Sequence, residues 1–344
     1  MHETSPSAQA VSPTRRTALG RFWARTGDQV RLWAKPTVAV SLIAIVVSFV
    51  DWRESLLLLG DLRLAPVLLA LLLLAVGLSV STLKWQVLLA VHAVHVPFMG
   101  LLKFYWIGAF FSNFALSTIG GDVVRLFCMN RHARPTIVGA SIFVERASGL
   151  VILLALAAFG LSMRPQYYVA GGLLAPLWLL VAGLTVALGL ALLLGSRVGA
   201  WLRTLPAFHE LTGRLIHALH KMALAIEHYR QHSRPIIYTL ILSALFYTEV
   251  VLFDYSVILS VGGNIMFLDV LFIAPLIALV SLVPISVNAI GIAEGAFVLF
   301  YTQAGLSPEE ALAAAVLRRL LVLFYSLVGG VIWLREKPRL RSAP

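Results

Sequence analysis

The sequence predicts an all-α membrane protein: a polytopic helical bundle with about six full spans and two re-entrant helical hairpins in two inverted halves. Of its 344 residues, 60% are hydrophobic and only 12% are charged, and the mean hydropathy is +0.90, a composition typical of membrane proteins. Eight apolar stretches follow one another, and two are interrupted and too short for two crossings of about 20 residues each. Eight ordinary spans are the alternative.

The positive charge indicates a membrane topology and no nucleic-acid partner. The formal net charge is +11, and most Lys and Arg residues lie in short segments between apolar stretches, as in cytoplasmic loops. With a cytoplasmic N-terminus, only Arg53, Arg63 and Arg164 fall on the outer side. We therefore expect a multi-pass protein of the bacterial cytoplasmic (inner) membrane with both termini in the cytoplasm. The single cysteine, Cys128, excludes an intrachain disulfide, and we expect no metal and no cofactor.

The predicted domain spans residues 35–335, between a basic tail at 1–34 and another at 336–344. Its first half, residues 35–165, contains a hairpin broken at Gly120-Gly121. The pair Lys84-Trp85 near the end of the second span suits the membrane–water boundary. The elements of this half are expected at about Pro36–Val50, Leu64–Leu89, Met99–Asn130 (the hairpin) and Pro135–Leu161.

The second half, residues 166–335, begins with a span at about Val169–Leu194. An amphipathic helix follows at about 197–234, with an apolar stripe suited to the membrane surface. A span at about Ile236–Val261 precedes the second hairpin, Phe267–Tyr301, which is broken at 284–295, and a span at about Glu309–Leu334 ends the domain. The two halves have inverse orders of direction, as in transporters built from inverted repeats.

Ionisable side chains at membrane depth need an explanation, since an unpaired charge at the bilayer centre costs about 2.5–3.5 kcal/mol even on lower scales. They either pair with one another, for example Asp122 with Arg125 or Arg146 and Glu294 with Arg318, or line a functional polar cavity. Their concentration around the broken segments favours the cavity. The residues concerned are Asp122, Arg125, Glu145, Arg146, Glu249, Asp254, Glu294, Arg318 and Arg319.

The broken segments supply groups that suit an anionic ligand. Non-helical backbone is tolerated in the membrane only where protein or a wet cavity satisfies it, and amides freed at Gly120-Gly121 could hold an anion. Arginine forks bind phosphate well. The carboxylates could contact a cationic headgroup, balance the arginines or carry a coupling proton, and Asn113 could satisfy freed backbone.

Three motifs in the sequence are FYWIGAFFSNF...GGDVVR, ERASGL at 145–150 and PISVNAIGIAEG at 284–295. They resemble those of the lysylphosphatidylglycerol synthase transmembrane-domain family, also called flippase-like membrane proteins. The resemblance implies movement of lipid between leaflets, without the soluble aminoacyl-transferase domain of the fusion members. Leu116 stands where the family pattern has proline, and Ala289 where it has glycine.

We therefore expect a lipid flippase that moves an anionic phospholipid or a polyprenyl-phosphate-linked lipid through a central polar cavity. No catalytic motif is recognised, so an enzyme is not expected, and the chain has no P-loop for ATP. The alternatives are a membrane enzyme acting on lipid phosphates and a non-transporting partner of a membrane synthase or glycosyltransferase. The expected substrate-binding residues are Asn113, Gly120, Gly121, Asp122, Arg125, Glu145, Arg146, Pro284, Ser286, Asn288, Gly291, Glu294, Arg318 and Arg319.

Overall fold

The computed structural model describes residues 52–114, 120–163, 183, 229, 233–282 and 286–341. Within them every regular element is helical, which confirms the all-helical class. The predicted spans at 36–50 and 169–194, the N-terminal tail and nearly all of the amphipathic helix lie outside the described residues. Of the predicted C-terminal tail, the part up to Arg341 continues the last helix.

The described helices, numbered in chain order, are α1 Trp52–Gly60, α2 Leu64–Val91, α3 Phe98–Phe114, α4 Gly120–Cys128, α5 Pro135–Met163, α6 Ser233–Ser260, α7 Phe267–Ser281, α8 Ile292–Gln303 and α9 Pro308–Arg341. A short 3₁₀ turn, Val287–Ala289, precedes α8.

Four of these helices are long and apolar enough to cross a membrane, at Leu64–Val91, Pro135–Gly160, Arg234–Ser260 and Pro308–Glu336. They confirm four of the predicted spans. Less than half of each apolar window is buried inside the protein, and large apolar side chains such as Leu68, Leu72 and Ile241 are exposed. Such helices are stable because hydrocarbon, and not water, covers these side chains.

The helices α3 and α4 form an antiparallel pair. Gly121 lies against Gly108, and one turn later Arg125 lies over the ring of Tyr105. Later residues of α4 therefore contact earlier residues of α3. With 17 and 9 residues, these helices are about 26 and 14 Å long, and each is shorter than the roughly 30 Å hydrocarbon layer.

Two apolar cores lie towards opposite ends of the bundle. One contains Trp85, Leu89, Leu101, Met129 and Ile142. The other, larger core is centred on α6 to α9 and includes Ala70, Leu153 and Phe297. Because α2 and α5 each contribute to both cores, the residues between those positions lie near the middle of the bundle.

The helix contacts fall into corresponding sets. The helices form four corresponding pairs: α2 with α6, α3 with α7, α4 with α8, and α5 with α9. When two helices of this group share a main contact, their counterparts are also in contact. For example, α3 packs on α9 as α7 packs on α5, and α4 contacts α5 as α8 contacts α9. The helices α2 and α6, which exchange with each other, share the most extensive interface in the part of the chain that the structure describes.

Candidate functional site

A cavity of about 390 Å³ lies at mid-length of all four membrane-crossing helices. On α2 it is lined from Leu74 to Lys84 and on α9 from Arg318 to Ser326. The α3–α4 pair closes one side with Tyr105, Gly108 and Arg125. The cavity therefore lies between the two apolar cores, at the depth where charged groups are most costly.

Arg125 is the central cation of this cavity and is only 2% exposed. Its Nη2 donates to Glu145 Oε2 at 2.6 Å, and its Nη1 donates to Asp122 Oδ1 at 3.3 Å. The guanidinium lies 4.1 Å from the ring centroid of Trp85 and 3.9 Å from that of Tyr105, a cation–π arrangement. The Tyr105 hydroxyl donates to Glu145 Oε1. Both carboxylate oxygens of Glu145 are thus occupied.

Arg146 is the accessible cation, with 61% of its side chain exposed. Its Nε and Nη2 form a forked interaction with the carboxylate of Asp122, with distances of 3.0–3.2 Å. Asp122 therefore accepts hydrogen bonds from both Arg125 and Arg146. Since Arg146 is exposed and Arg125 is buried, the pair Asp122–Arg146 marks the entrance of the cavity.

Lys84 corrects the interpretation of the second span. We expected Lys84-Trp85 at the membrane–water boundary, but both are buried, at 5% and 0% exposure, because α2 continues for seven more residues to Val91. Lys84 Nζ donates to the carbonyl of Glu145 at 3.3 Å and to Ser243 Oγ at 3.2 Å, and it has no carboxylate partner within the described residues. The sequence did contain a signal for this burial, because Lys84 lies about two turns before the end of an apolar helix.

The far side of the cavity carries Arg318 and Glu249. Arg318 Nε donates to Asp254 Oδ1 at 2.7 Å, which corrects the expected pairing of Arg318 with Glu294. Glu249 is 5% exposed. It belongs to the ionisable residues expected at membrane depth, but it is not among the expected substrate-binding residues.

A second cavity of about 460 Å³ is largely apolar and lies beside the first. Glu294 and Arg319 line it, with Arg319 Nε donating to Glu294 Oε1 at 2.6 Å. Asn113 lines both cavities, and Asn288 Nδ2 donates to Asn113 Oδ1 at 3.0 Å. The two broken segments therefore meet at this hydrogen bond.

The predicted site residues are divided between these cavities. The first takes Asn113, Gly121, Asp122, Arg125, Glu145, Arg146 and Arg318. The second takes Asn113, Asn288, Glu294 and Arg319. Gly120, Ser286 and Gly291 line neither, and Pro284 lies outside the described residues. Instead of one cavity shared by both broken segments, the structure has two neighbouring ones.

The two broken segments use glycine for different reasons. Gly120 and Gly121 begin α4 with helical backbone, and Gly121 is needed because its Cβ would overlap Ser112 Oγ and the Gly108 carbonyl. The second segment has left-handed backbone at Asn288 (φ 49°), Ala289 (φ 54°) and Gly291 (φ 82°). We expected non-helical backbone at the glycine pair. Within the described residues, it occurs in the second segment instead.

Glu294 stabilises the second segment as well as its ion pair. Its Oε2 accepts from the amide of Gly291 at 2.7 Å, which satisfies the N-cap amide of α8. We expected Asn113 to satisfy freed backbone, but in the described residues its amide donates to the Ala109 carbonyl at 3.1 Å, four residues earlier in its own helix.

The ion pairs occupy corresponding positions in the two sets of helices. Asp122 and Glu294 are each the third residue of a short helix, α4 and α8. Arg146 and Arg319 are each the twelfth residue of the long helix that follows, α5 and α9, and both long helices begin with proline. The pairs Asp122–Arg146 and Glu294–Arg319 therefore correspond.

The model of the lysylphosphatidylglycerol synthase TM region matches residues 32–329, which include both cavities and every described helix except the end of α9. The chain belongs to this family. A UPF0104 membrane protein of Methanothermobacter thermautotrophicus is 25% identical over 316 residues, covering 84% of this chain and 93% of the relative.

Membership of the lysylphosphatidylglycerol synthase TM region family, together with the four membrane-crossing helices, makes this chain a multi-pass membrane protein of a lipid-related family. The match confirms the resemblance drawn from the three motifs. The UPF0104 relative is described only as a membrane protein, so the chemistry of the cavity is the guide to what this chain does.

Proposed function

We propose that this protein moves a lipid with an anionic headgroup between the leaflets of the membrane through the cavity around Arg125. The observation that carries the proposal is the position of this charged cavity at mid-length of all four membrane-crossing helices. A headgroup crossing the bilayer needs polar groups at that depth, because hydrocarbon offers none. Substrate sites near the bilayer midplane are usual in transporters.

In this proposal, Arg146 and Lys84 contact the headgroup phosphate. Arg146 is exposed at the entrance, with Asp122 as its partner, and Lys84 has no carboxylate partner in the described residues. Arg125 donates to Glu145 and Asp122 and lies against two rings, so it positions these groups and raises the local positive potential. The acyl or polyprenyl chains stay in the bilayer, beside the exposed leucines of α2.

The proposed architecture is a pair of inverted halves whose α3–α4 and α7–α8 helices are re-entrant. The corresponding helix contacts and the corresponding ion pairs support it, as do the short lengths of these four helices. Single-cysteine labelling in a Cys128→Ser background tests the topology. We expect Asn130→Cys to react only from the cytoplasm and Asp61→Cys only from outside; labelling of Asn130→Cys from outside contradicts the first re-entrant pair.

Leaflet-resolved movement of a fluorescent phosphatidylglycerol in proteoliposomes tests the function. We expect the wild type to move this lipid faster than protein-free vesicles do. Arg146→Gln should slow movement by about tenfold or more, since a hydrogen bond to a charged group contributes about 1.5–3 kcal/mol. Arg63→Gln, which changes an exposed arginine outside the cavity, is the matched control.

Two results contradict this function. One is a wild-type rate no higher than that of protein-free vesicles, and the other is an Arg146→Gln rate equal to the wild-type rate. Recovery of a covalently altered lipid from the same vesicles favours a membrane enzyme instead.

A further inference from the structure

Glu249 is a buried carboxylate to which the proposed function gives no role. It lies on α6, is 5% exposed and lines the central cavity. The other acids that line the two cavities, Asp122, Glu145 and Glu294, each accept a hydrogen bond from an arginine, and so does Asp254, the partner of Arg318. Within the part of the chain that the structure describes, Glu249 forms no hydrogen bond and no ion pair.

The position of Glu249 is set by Gly77 on α2. A Cβ at Gly77 would lie 2.6 Å from Glu249 Cδ and would also overlap a carboxylate oxygen. The carboxyl group therefore packs directly on the backbone of α2, within the most extensive interface among the described helices. This packing leaves no space on that side for the several oxygen ligands that a bound metal cation requires.

An unpaired carboxylate at this depth costs free energy unless a cation or a proton neutralises it. Asp254 lies near it on the same helix. The other charged and titratable groups that line the cavity are Lys84 on α2, Tyr105 on α3, Asp122 and Arg125 on α4, Glu145 and Arg146 on α5, Tyr247 on α6, and Arg318 and Tyr325 on α9. Arg318 is held by Asp254 at 2.7 Å, and α7 contributes no residue to the cavity.

We propose that Glu249 is a proton-binding residue that couples proton uptake to the binding of the anionic headgroup. This inference rests on the proposed function. With Glu249 ionised, Lys84, Arg125, Arg146 and Arg318 are balanced by Asp122, Glu145, Glu249 and Asp254. A proton on the Glu249 carboxylate forms a neutral carboxylic acid and leaves one excess positive charge, which attracts a phosphate.

The coupling is reciprocal, because a proton that strengthens headgroup binding is itself bound more tightly when the headgroup is present. An anionic lipid and a proton can then cross the membrane together without net charge. A proton gradient therefore drives lipid movement in one direction, with no nucleotide involved.

Titration calorimetry with dihexanoyl phosphatidylglycerol tests the inference independently of transport. Measuring the binding heat of the purified full-length protein in buffers of different ionisation enthalpy gives the number of protons taken up with the lipid. We expect wild-type affinity to rise about fivefold or more between about pH 8 and about pH 5, within the usual range of coupling between sites, and protons to be taken up on binding.

Glu249→Gln mimics the proton-bound state. We expect this variant to bind the lipid more tightly than the wild type at about pH 8, with no proton uptake and little dependence on pH. Glu54→Gln, an exposed acid on α1, should behave as the wild type. In proteoliposomes, an imposed pH gradient should change the wild-type rate of lipid movement but not the Glu249→Gln rate.

The outcomes separate the two proposals. If the wild type moves lipid but Glu249→Gln keeps the same proton uptake and the same response to a pH gradient, the role of Glu249 is wrong and the proposed function stands. A response to a sodium gradient in place of a pH gradient also overturns it. If the wild type moves no lipid, both proposals fail. If Glu249→Gln does not fold, Gly77→Ala, which displaces the carboxylate, must reduce proton uptake, and unchanged uptake contradicts the role.

Discussion

Asn288 donates a hydrogen bond to Asn113 over 3.0 Å, and this bond joins the two interrupted segments of the chain. Asn113 lies one residue before the end of α3, and Asn288 lies in the left-handed turn before α8. The bond lies where the polar and the apolar cavity are closest, because Asn113 lines both.

A double-mutant cycle measures this contact. We expect Asn113→Ala and Asn288→Gly to show a coupling free energy of about 0.5–1.5 kcal/mol in unfolding by SDS in mixed micelles. Glycine at 288 keeps the positive φ of 49° accessible. Asn113→Ala combined with Asn130→Ala, an exposed asparagine, should be additive. Additivity of the first pair as well would show that the bond contributes nothing.

Removing Arg125 should destabilise the protein strongly. Arg125→Met leaves Glu145 buried without its main partner, which typically costs about 3–5 kcal/mol in the free energy of unfolding. Arg125→Met together with Glu145→Gln should recover a large part of this loss, because no unpaired charge remains. The same SDS unfolding assay measures both. A double variant no more stable than Arg125→Met contradicts the pairing as the source of the loss.

A methyl group at Gly121 should force α4 away from α3. Its Cβ would overlap Ser112 Oγ and the Gly108 carbonyl, and we expect Gly121→Ala to lower the free energy of unfolding by about 1–3 kcal/mol. Gly60→Ala is the control, since a Cβ there meets nothing within 4 Å. Equal stability of the two variants would mean that the close approach of these helices is not required.

Glycine at position 289 should stabilise the protein. Ala289 adopts φ 54°, and left-handed backbone costs a non-glycine residue about 1–2 kcal/mol. After the greater entropy loss of glycine on folding, we expect Ala289→Gly to gain up to about 1 kcal/mol of unfolding free energy. Ala293→Gly, in the first turn of α8, should instead lose up to about 1 kcal/mol. A loss at position 289 would contradict the strain at that turn.

Ala289 shows what the motifs could predict. The family pattern has glycine at position 289, and the structure has a positive φ there, which glycine favours. The glycine pair at 120–121 was the more prominent signal, yet its backbone is helical. A glycine that permits a turn and one that permits close packing look alike in a sequence, because both require only that Cβ be absent.

The sequence by itself determined that this chain is a helical membrane protein with ionisable groups inside the membrane. Two features carried this: the length of the apolar stretches and the charged residues that interrupt them. Hydropathy locates spans well because about 20 apolar residues are needed to cross hydrocarbon. The four described spans lie where this rule predicts them.

Only the tertiary structure decided which charges meet. A helix that is apolar on every side has no periodic pattern to indicate its inward face, so the sequence could not show that Lys84 lines the cavity. The same limit applies to Arg318 and Arg319: adjacent residues on a helix point in different directions, and one therefore reaches Asp254 while the other reaches Glu294.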